Sequence, residues 1–249
     1  MQNKPVALVT GANKGIGLQI ARDLSGHGYT VLVGARDPDA GMRAAEEVGA
    51  DAHAVLLDVT DQKSVDAAAE RIDVEFGRLD VLVNNAGVSH ASVPDTPFAE
   101  VTRSNPLTVA TLDDIRAVWD VNVFGLIAVT QAMLPLLRRS PGARIVTVGS
   151  SAGSLAMSAG PDNPNPAMFG NYTASKTAAH AATLAFALAL KAEGIKVNIA
   201  CPGYTATDLN GFTGHRTVEE GARRAVELAL IGADGPTGTF SDEDGPVAW

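Results

Sequence analysis

The sequence predicts a doubly wound α/β domain: residues 1–249 forming one seven-stranded parallel sheet with helices on both faces. Three observations predict it. Apolar runs of strand length alternate with longer helical patterns from one end of the chain to the other. The runs are rich in Val and Ile and nearly unbroken in apolarity, as strands covered on both faces are. A glycine-rich turn follows the first run. Right-handed crossovers then distribute the helices over both faces of the sheet.

In chain order the strand runs are VALVT (6–10), TVLVG (30–34), HAVLLD (53–58), DVLVNN (80–85), RIVTVGS (144–150), KVNIAC (196–201) and a weaker GTF (238–240). Between them lie helical patterns: KGIGLQIARDLSGHG, DAGMRAAEEVGA, DQKSVDAAAERIDVEFG, LDDIRAVWDVNVFGLIAVTQAMLPLLRRS, NYTASKTAAHAATLAFALALKAEG and TVEEGARRAVELALIG. Two stretches break the rhythm, 87–111 and 153–170. Both are rich in Pro, Asn and Ser, so neither is read as helix or strand. Each follows the carboxyl end of a predicted strand, where open α/β sheets bind ligands, so both are expected to wall a substrate site. No repeat, low-complexity tract or linker divides the chain.

Composition narrows the function. Nearly half of the residues are apolar and 19% are charged, ordinary values for a soluble globular protein. A net charge of −9 argues against nucleic acid or an anionic membrane as partner. The opening KPVALVT is a strand pattern without a charged leader, so no signal peptide is expected. The apolar stretch AATLAFALAL (181–190) is too short to span a bilayer. The single cysteine, Cys201, excludes an intramolecular disulfide and fits a reducing cytoplasm; it reads as a buried bystander. The five histidines show no ligand spacing, and no metal is expected.

Two motifs carry chemistry. In TGANKGIG (10–17) the glycines at 11, 15 and 17 allow a tight turn and close approach of a phosphate to backbone N–H groups at a helix N-terminus. The spacing is Gly-x-x-x-Gly-x-Gly, not the commoner Gly-x-Gly-x-x-Gly of dinucleotide sites. In NYTASK (171–176), Tyr172 and Lys176 stand one helical turn apart on a shared face, in a chain with three tyrosines and six lysines. A tyrosine ordinarily titrates near ~10, and a nearby cation favours the phenolate and lowers that value. The pair can make an acid/base; alone, it can also be coincidence.

With TGANKGIG, NNAG (84–87), YTASK (172–176) and CPGYTAT (201–207) in this order, the chain resembles the short-chain dehydrogenase/reductase family over almost its whole length. The resemblance implies a Rossmann-type fold and a catalytic serine after the fifth strand, in IVTVGSSAG (145–153). The family's glycine three residues after that serine selects Ser150 over Ser151, since Gly153 fits. It also implies an active-site asparagine in DVNVFG (120–125), Asn122. In the implied chemistry Tyr172 gives a proton to the carbonyl oxygen and Ser150 hydrogen-bonds it. Lys176 lowers the tyrosine pKa and holds the nicotinamide ribose, and Asn122 holds a water leading from Lys176 to solvent.

The same resemblance places Gly11, Asn13, Lys14, Gly15, Ile16, Gly17, Asp58, Val59, Asn85, Ala86, Gly87, Tyr172, Lys176, Pro202, Gly203 and Thr207 along the cofactor. Arg36, the first residue past the second strand, and Lys14 can flank a ribose 2′-phosphate, which favours NADPH; Asp37 beside Arg36 keeps NADH open. GANKGIG, GARD, LDVTD and DVLVNNAGV are most similar to the carbonyl-reductase branch. That implies reduction of a ketone or aldehyde with NADPH, against two alternatives: an oxidising alcohol dehydrogenase, or a regulator that binds NADP without chemistry. Ser150 and Tyr172 are 22 positions apart, more than in most of the family. The extra residues are expected to line the pocket through Met168 and Phe169, with Tyr204 and Phe212 opposite. The helix after Tyr172 is apolar nearly all round, and the family often pairs it across a two-fold axis, so a homodimer or homotetramer is expected.

Overall fold

The computed structural model describes residues 4–90, 105–161, 163 and 170–249. Its strands are β1 (Val6–Thr10), β2 (Thr30–Ala35), β3 (Ala52–Leu56), β4 (Val81–Asn84), β5 (Arg144–Val148), β6 (Lys196–Ala200), β7 (Phe240–Asp242) and β8 (Gly245–Pro246). They form one sheet in the order β3-β2-β1-β4-β5-β6-β7-β8. Seven strands are parallel, as the sequence predicts. The eighth is a two-residue strand that turns back antiparallel on β7, too short to leave a period in the sequence. The weak GTF run is also displaced: the last parallel strand begins at Phe240, where its backbone pairs with Ile199 and Ala200.

The helices that follow the strands are α1 (Gly15–Gly26), α2 (Pro38–Val48), α3 (Gln62–Phe76), α4 (Leu112–Trp119), α5 (Leu126–Leu137), α6 (Leu155–Ala159), α7 (Asn171–Leu190) and α8 (Val218–Leu230). Alternation along each strand splits the core in two. Ala7, Val9, Val31, Val33, Val81 and Val83 face α1, α2 and α8. Val6, Leu8, Leu32, Leu82 and Ile145 face α3, α5 and α7. Leu8, Leu32, Leu82 and Ile145 are almost wholly removed from water, each worth about 1.5–3 kcal/mol.

Three features depart from the sequence reading. Residues 153–170 are not irregular throughout, because α6 forms there, with the Ser154 side chain capping the Met157 N–H at 3.1 Å. Between α4 and α5 the chain winds as a π-helix over Asp120–Gly125. The continuous run Leu112–Leu137 is long and apolar enough to cross a membrane, a property that counting uninterrupted apolar runs misses. Its Val129, Met133, Leu136 and Leu137 are buried in the core against the sheet and α3, so here it serves as a core helix.

The strand order reverses between β1 and β4, which leaves a crevice beyond their carboxyl ends. The glycine turn after β1 and Asn85–Gly87 after β4 line that crevice.

Candidate active site

The glycine turn is shaped by what packs on it. Gly11 and Gly15 take left-handed backbone (φ 62° and 57°), which β-carbon-bearing residues rarely adopt. A β-carbon on Gly17 would lie 2.3 Å from Asn85 Nδ2 and 2.6 Å from the Gly11 carbonyl oxygen. The turn is held from β4: Asn85 Nδ2 donates to the carbonyls of Thr10 (2.8 Å) and Gly11 (3.1 Å). The Thr10 hydroxyl accepts from the amides of Asn85 (3.0 Å) and Ala86 (2.9 Å). At the N-terminus of α1, Lys14 makes no side-chain cap and the first turn has no acidic residue. Its free N–H groups therefore suit an anion. Across the crevice stands Thr207, with its γ-methyl 3.6 Å from where a Gly15 β-carbon would be. Asn13 and Ile16 are half-buried in the turn.

These residues fit a dinucleotide: a cradle closed to side chains, a helix end for phosphate, and walls from both halves of the sheet. Asp58 accepts from the Thr60 amide (2.9 Å) and hydroxyl (2.7 Å). Val59 packs where a side chain on Gly125 would stand. Arg36 is exposed just past β2. Asp37 caps α2 by accepting from Ala40 N at 3.0 Å. Lys14 is ion-paired with Asp208. Gly203 takes a left-handed turn (φ 68°) after Pro202, against the Arg216 side chain.

The four residues expected to be catalytic converge beside this cradle. Asn122 lies in the π-helix, buried; its Oδ1 accepts from Val88 N, and its Nδ2 donates to Val88 O and Ser175 Oγ, all at 2.9 Å. π-turns inside helices recur at functional sites, and this one explains why an asparagine sits in an apolar helix. Its side chain joins the loop after β4 to α7. Lys176 Nζ is buried, donates to Val148 O at 3.1 Å, and lies 3.4 Å from where a Gly87 β-carbon would be.

Tyr172 is half-buried in the first turn of α7. Its amide donates to Asn105 Oδ1 (3.0 Å), and Asn105 O accepts from Asn171 N (2.8 Å). Asn105 thus fixes where α7 begins, which nothing in the sequence signals. Ser150 hydrogen-bonds the Tyr172 phenol, while Ser151 N donates to Cys201 Sγ at 3.1 Å. The serine that reaches Tyr172 is therefore Ser150. Gly153 is required because a β-carbon there would meet Lys176 and the His180 ring at 2.9 Å.

The electrostatics differ from the expected pattern. Burial pushes the Tyr172 phenol up to about 12, against the opposing hydrogen bond from Ser150. Burial also pulls the Lys176 ammonium down to about 8. Lys176 Nζ stands 6.0 Å from the Tyr172 ring centroid and does not offset that burial. Desolvation outweighs the charge.

Tyr204 and Phe212 lie on the loop after β6. The Tyr204 hydroxyl bonds Thr213 Oγ1 and its ring meets His215 at 5.9 Å. Phe212 is exposed, in left-handed backbone (φ 60°). Met168 and Phe169 lie outside the described residues.

The sequence profile described as short chain dehydrogenase matches residues 5–217. The chain belongs to the short-chain dehydrogenase/reductase family. Salutaridine reductase of Papaver bracteatum is 32% identical, the match covering 95% of this chain and 93% of that protein. The short-chain dehydrogenase anuI of Penicillium roqueforti is 33% identical over 92% of this chain and 90% of its own. Among solved structures, 3-ketoacyl-(acyl-carrier-protein) reductase of Brucella melitensis complexed with NADH superposes with a TM-score of 0.80. It is 27% identical, with 98% of each chain covered. This family member is accordingly an oxidoreductase that binds a nicotinamide cofactor and acts on small carbonyl or alcohol substrates, on the carbonyl-reductase-like side of the family.

Proposed function

We propose that the protein reduces a ketone or aldehyde to an alcohol with NADPH. The observation that carries the reading is the Ser150–Tyr172 pair beside the dinucleotide cradle, with a phenol that keeps its proton far above neutral pH. When bound, the nicotinamide supplies hydride to the carbonyl carbon. Charge then builds on the carbonyl oxygen, where Ser150 Oγ donates a hydrogen bond and Tyr172 delivers the proton. Lys176, whose buried Nζ donates to Val148 O, would hold the ribose and supply positive charge on that side. A phenol titrating near 12 carries its proton at neutral pH, the protonation state in which it can act as the donor.

The NADPH preference rests on Arg36 and Lys14, and on Asp37 being engaged as a helix cap rather than turned to a ribose hydroxyl. Replacing Lys14 and Arg36 with alanine is expected to raise the Michaelis constant for NADPH at least tenfold more than for NADH, ~1.4 kcal/mol of phosphate recognition. Equal effects would remove both from 2′-phosphate reading. The reaction itself is tested by nicotinamide oxidation over a panel of ketones, aldehydes, quinones and terpenoid ketones. No consumption across the panel despite NADPH binding would count against the reductase reading.

We further propose a cytoplasmic homodimer or homotetramer. Phe124 and Leu188 are 58% and 68% exposed, and Ala181, Ala185 and Ala189 extend the exposed apolar face of α7. Analytical ultracentrifugation should find an oligomer that Phe124→Asp with Leu188→Asp converts to monomer; a native monomer would overturn this.

A further inference from the structure

We propose that His180 is a positioning residue for Ser150: its neutral imidazole accepts the Ser150 amide proton through Nε2 and fixes the 149–153 turn so that the Ser150 hydroxyl faces Tyr172. The inference rests on the reading of Ser150 as the hydroxyl that bonds the reacting oxygen.

His180 is a polar ring in a helix otherwise built of Ala, Leu, Thr and Phe beyond Lys176, and it is 3% exposed. It stands one turn after Lys176 on the same face of α7, aimed at the turn that carries Ser150. The Ser150 N–H meets His180 Nε2 at 3.3 Å. Both glycines that flank Ser150 are shaped to this ring. A β-carbon on Gly149 would lie 2.6 Å from Nε2, and one on Gly153 would lie 2.9 Å from Cε1. The opposite side of the imidazole is closed by Phe240 of β7, with ring centroids 4.5 Å apart. The ring therefore cannot turn or withdraw without moving the backbone on either side of the serine.

The chemistry of the contact sets the tautomer. A lone pair on Nε2 requires the ring proton on Nδ1 and a neutral imidazole. The surroundings enforce neutrality: burial and the Lys176 charge hold the His180 pKa down at about 3. Cys201 Sγ, at the end of β6, takes the next amide of the turn, that of Ser151, at 3.1 Å. Two successive N–H groups of the turn are thus bound from behind, and Ser150 Oγ is left to accept from Ala152 N (3.2 Å) and to meet Tyr172. A core-filling histidine would need only volume. This one needs an acceptor at a defined ring position.

The native protein provides the first test, by long-range proton–nitrogen NMR of 15N-labelled histidine at neutral pH. The Nδ1–H tautomer for His180 is expected, and an Nε2–H tautomer overturns the proposal. This result does not depend on turnover, so it separates failure of the His180 contact from failure of the reductase reading.

The second test compares His180→Met, which keeps bulk and loses the acceptor, with His180→Gln, which keeps one. His180→Met is expected to lower kcat by about 10- to 100-fold, as small misplacements of reacting groups do, with NADPH affinity unchanged. His180→Gln should recover most of the loss. In a Ser150→Ala background His180→Met should add nothing, because the two changes act through one hydroxyl. Native kcat in His180→Met, no recovery in His180→Gln, or an additive loss in the Ser150→Ala background overturns the proposal. Should His180→Met not fold, the tautomer and His180→Gln decide.

Discussion

Tyr172→Phe is expected to lower reductive turnover by about 10³-fold while NADPH binding stays close to native, the scale at which a positioned general acid contributes. The phenyl ring keeps the packing at the start of α7, and the Tyr172 amide still donates to Asn105. What is lost is one hydroxyl, the group that Ser150 bonds and that burial keeps protonated up to about 12. Ser150→Ala should produce a loss of the same kind, whereas Ser151, whose amide is held by Cys201, should tolerate alanine. The measurement is nicotinamide absorbance under saturating cofactor, with cofactor binding followed separately by fluorescence. A Tyr172→Phe protein that keeps a tenth or more of native turnover would move the acid elsewhere.

That prediction combines what could be read in the sequence with what could not. The doubly wound sheet was legible because both of its signals are local: apolar strands of five or six residues, and helical periods between them. The glycine turn was legible because no other residue takes left-handed backbone at 11 and 15 without strain. Ser150 was picked out by Gly153, and the structure gives the reason, since a β-carbon at 153 would strike α7.

The site's long-range ties left no such trace. Asn105 pins Tyr172 across 67 positions, and Asn122 joins Val88 to Ser175 through a π-turn that has no sequence period. His180 reads in the sequence as one histidine in an apolar helix, because its partner is a backbone amide 30 positions away. The sign of the Tyr172 shift was also beyond sequence. The spacing to Lys176 reveals a nearby charge, but only the fold reveals that burial outweighs it.

The same burial makes Lys176 a liability that the fold carries for its chemistry, and Lys176→Met should therefore stabilise the protein while abolishing turnover. Lys176 is 6% exposed, and burial brings its pKa from 10.5 to about 8. That difference corresponds to a penalty of about 3 kcal/mol on the charged form. Met matches the length of the stem without the charge. Against the gain stands the Val148 carbonyl, which loses its 3.1 Å donor at about 1–3 kcal/mol.

The net expected at pH 7 is a melting temperature higher by up to about 8 °C, at roughly 2–4 °C per kcal/mol for a chain of this size. The pH dependence identifies the cause. Between about 8 and 10.5 the unfolded chain holds the Lys176 proton more tightly than the folded one, so native stability rises with pH across that window. Lys176→Met has no such proton to release. Its advantage should be complete below pH 8 and shrink as the pH approaches 10.5. Stability gained at the expense of function is common where an active site holds a poorly solvated charge. A Lys176→Met protein that melts below the native one at pH 7, or an advantage that does not shrink with rising pH, would mean that the buried ammonium is held by more than Val148 and is not a net strain on the fold.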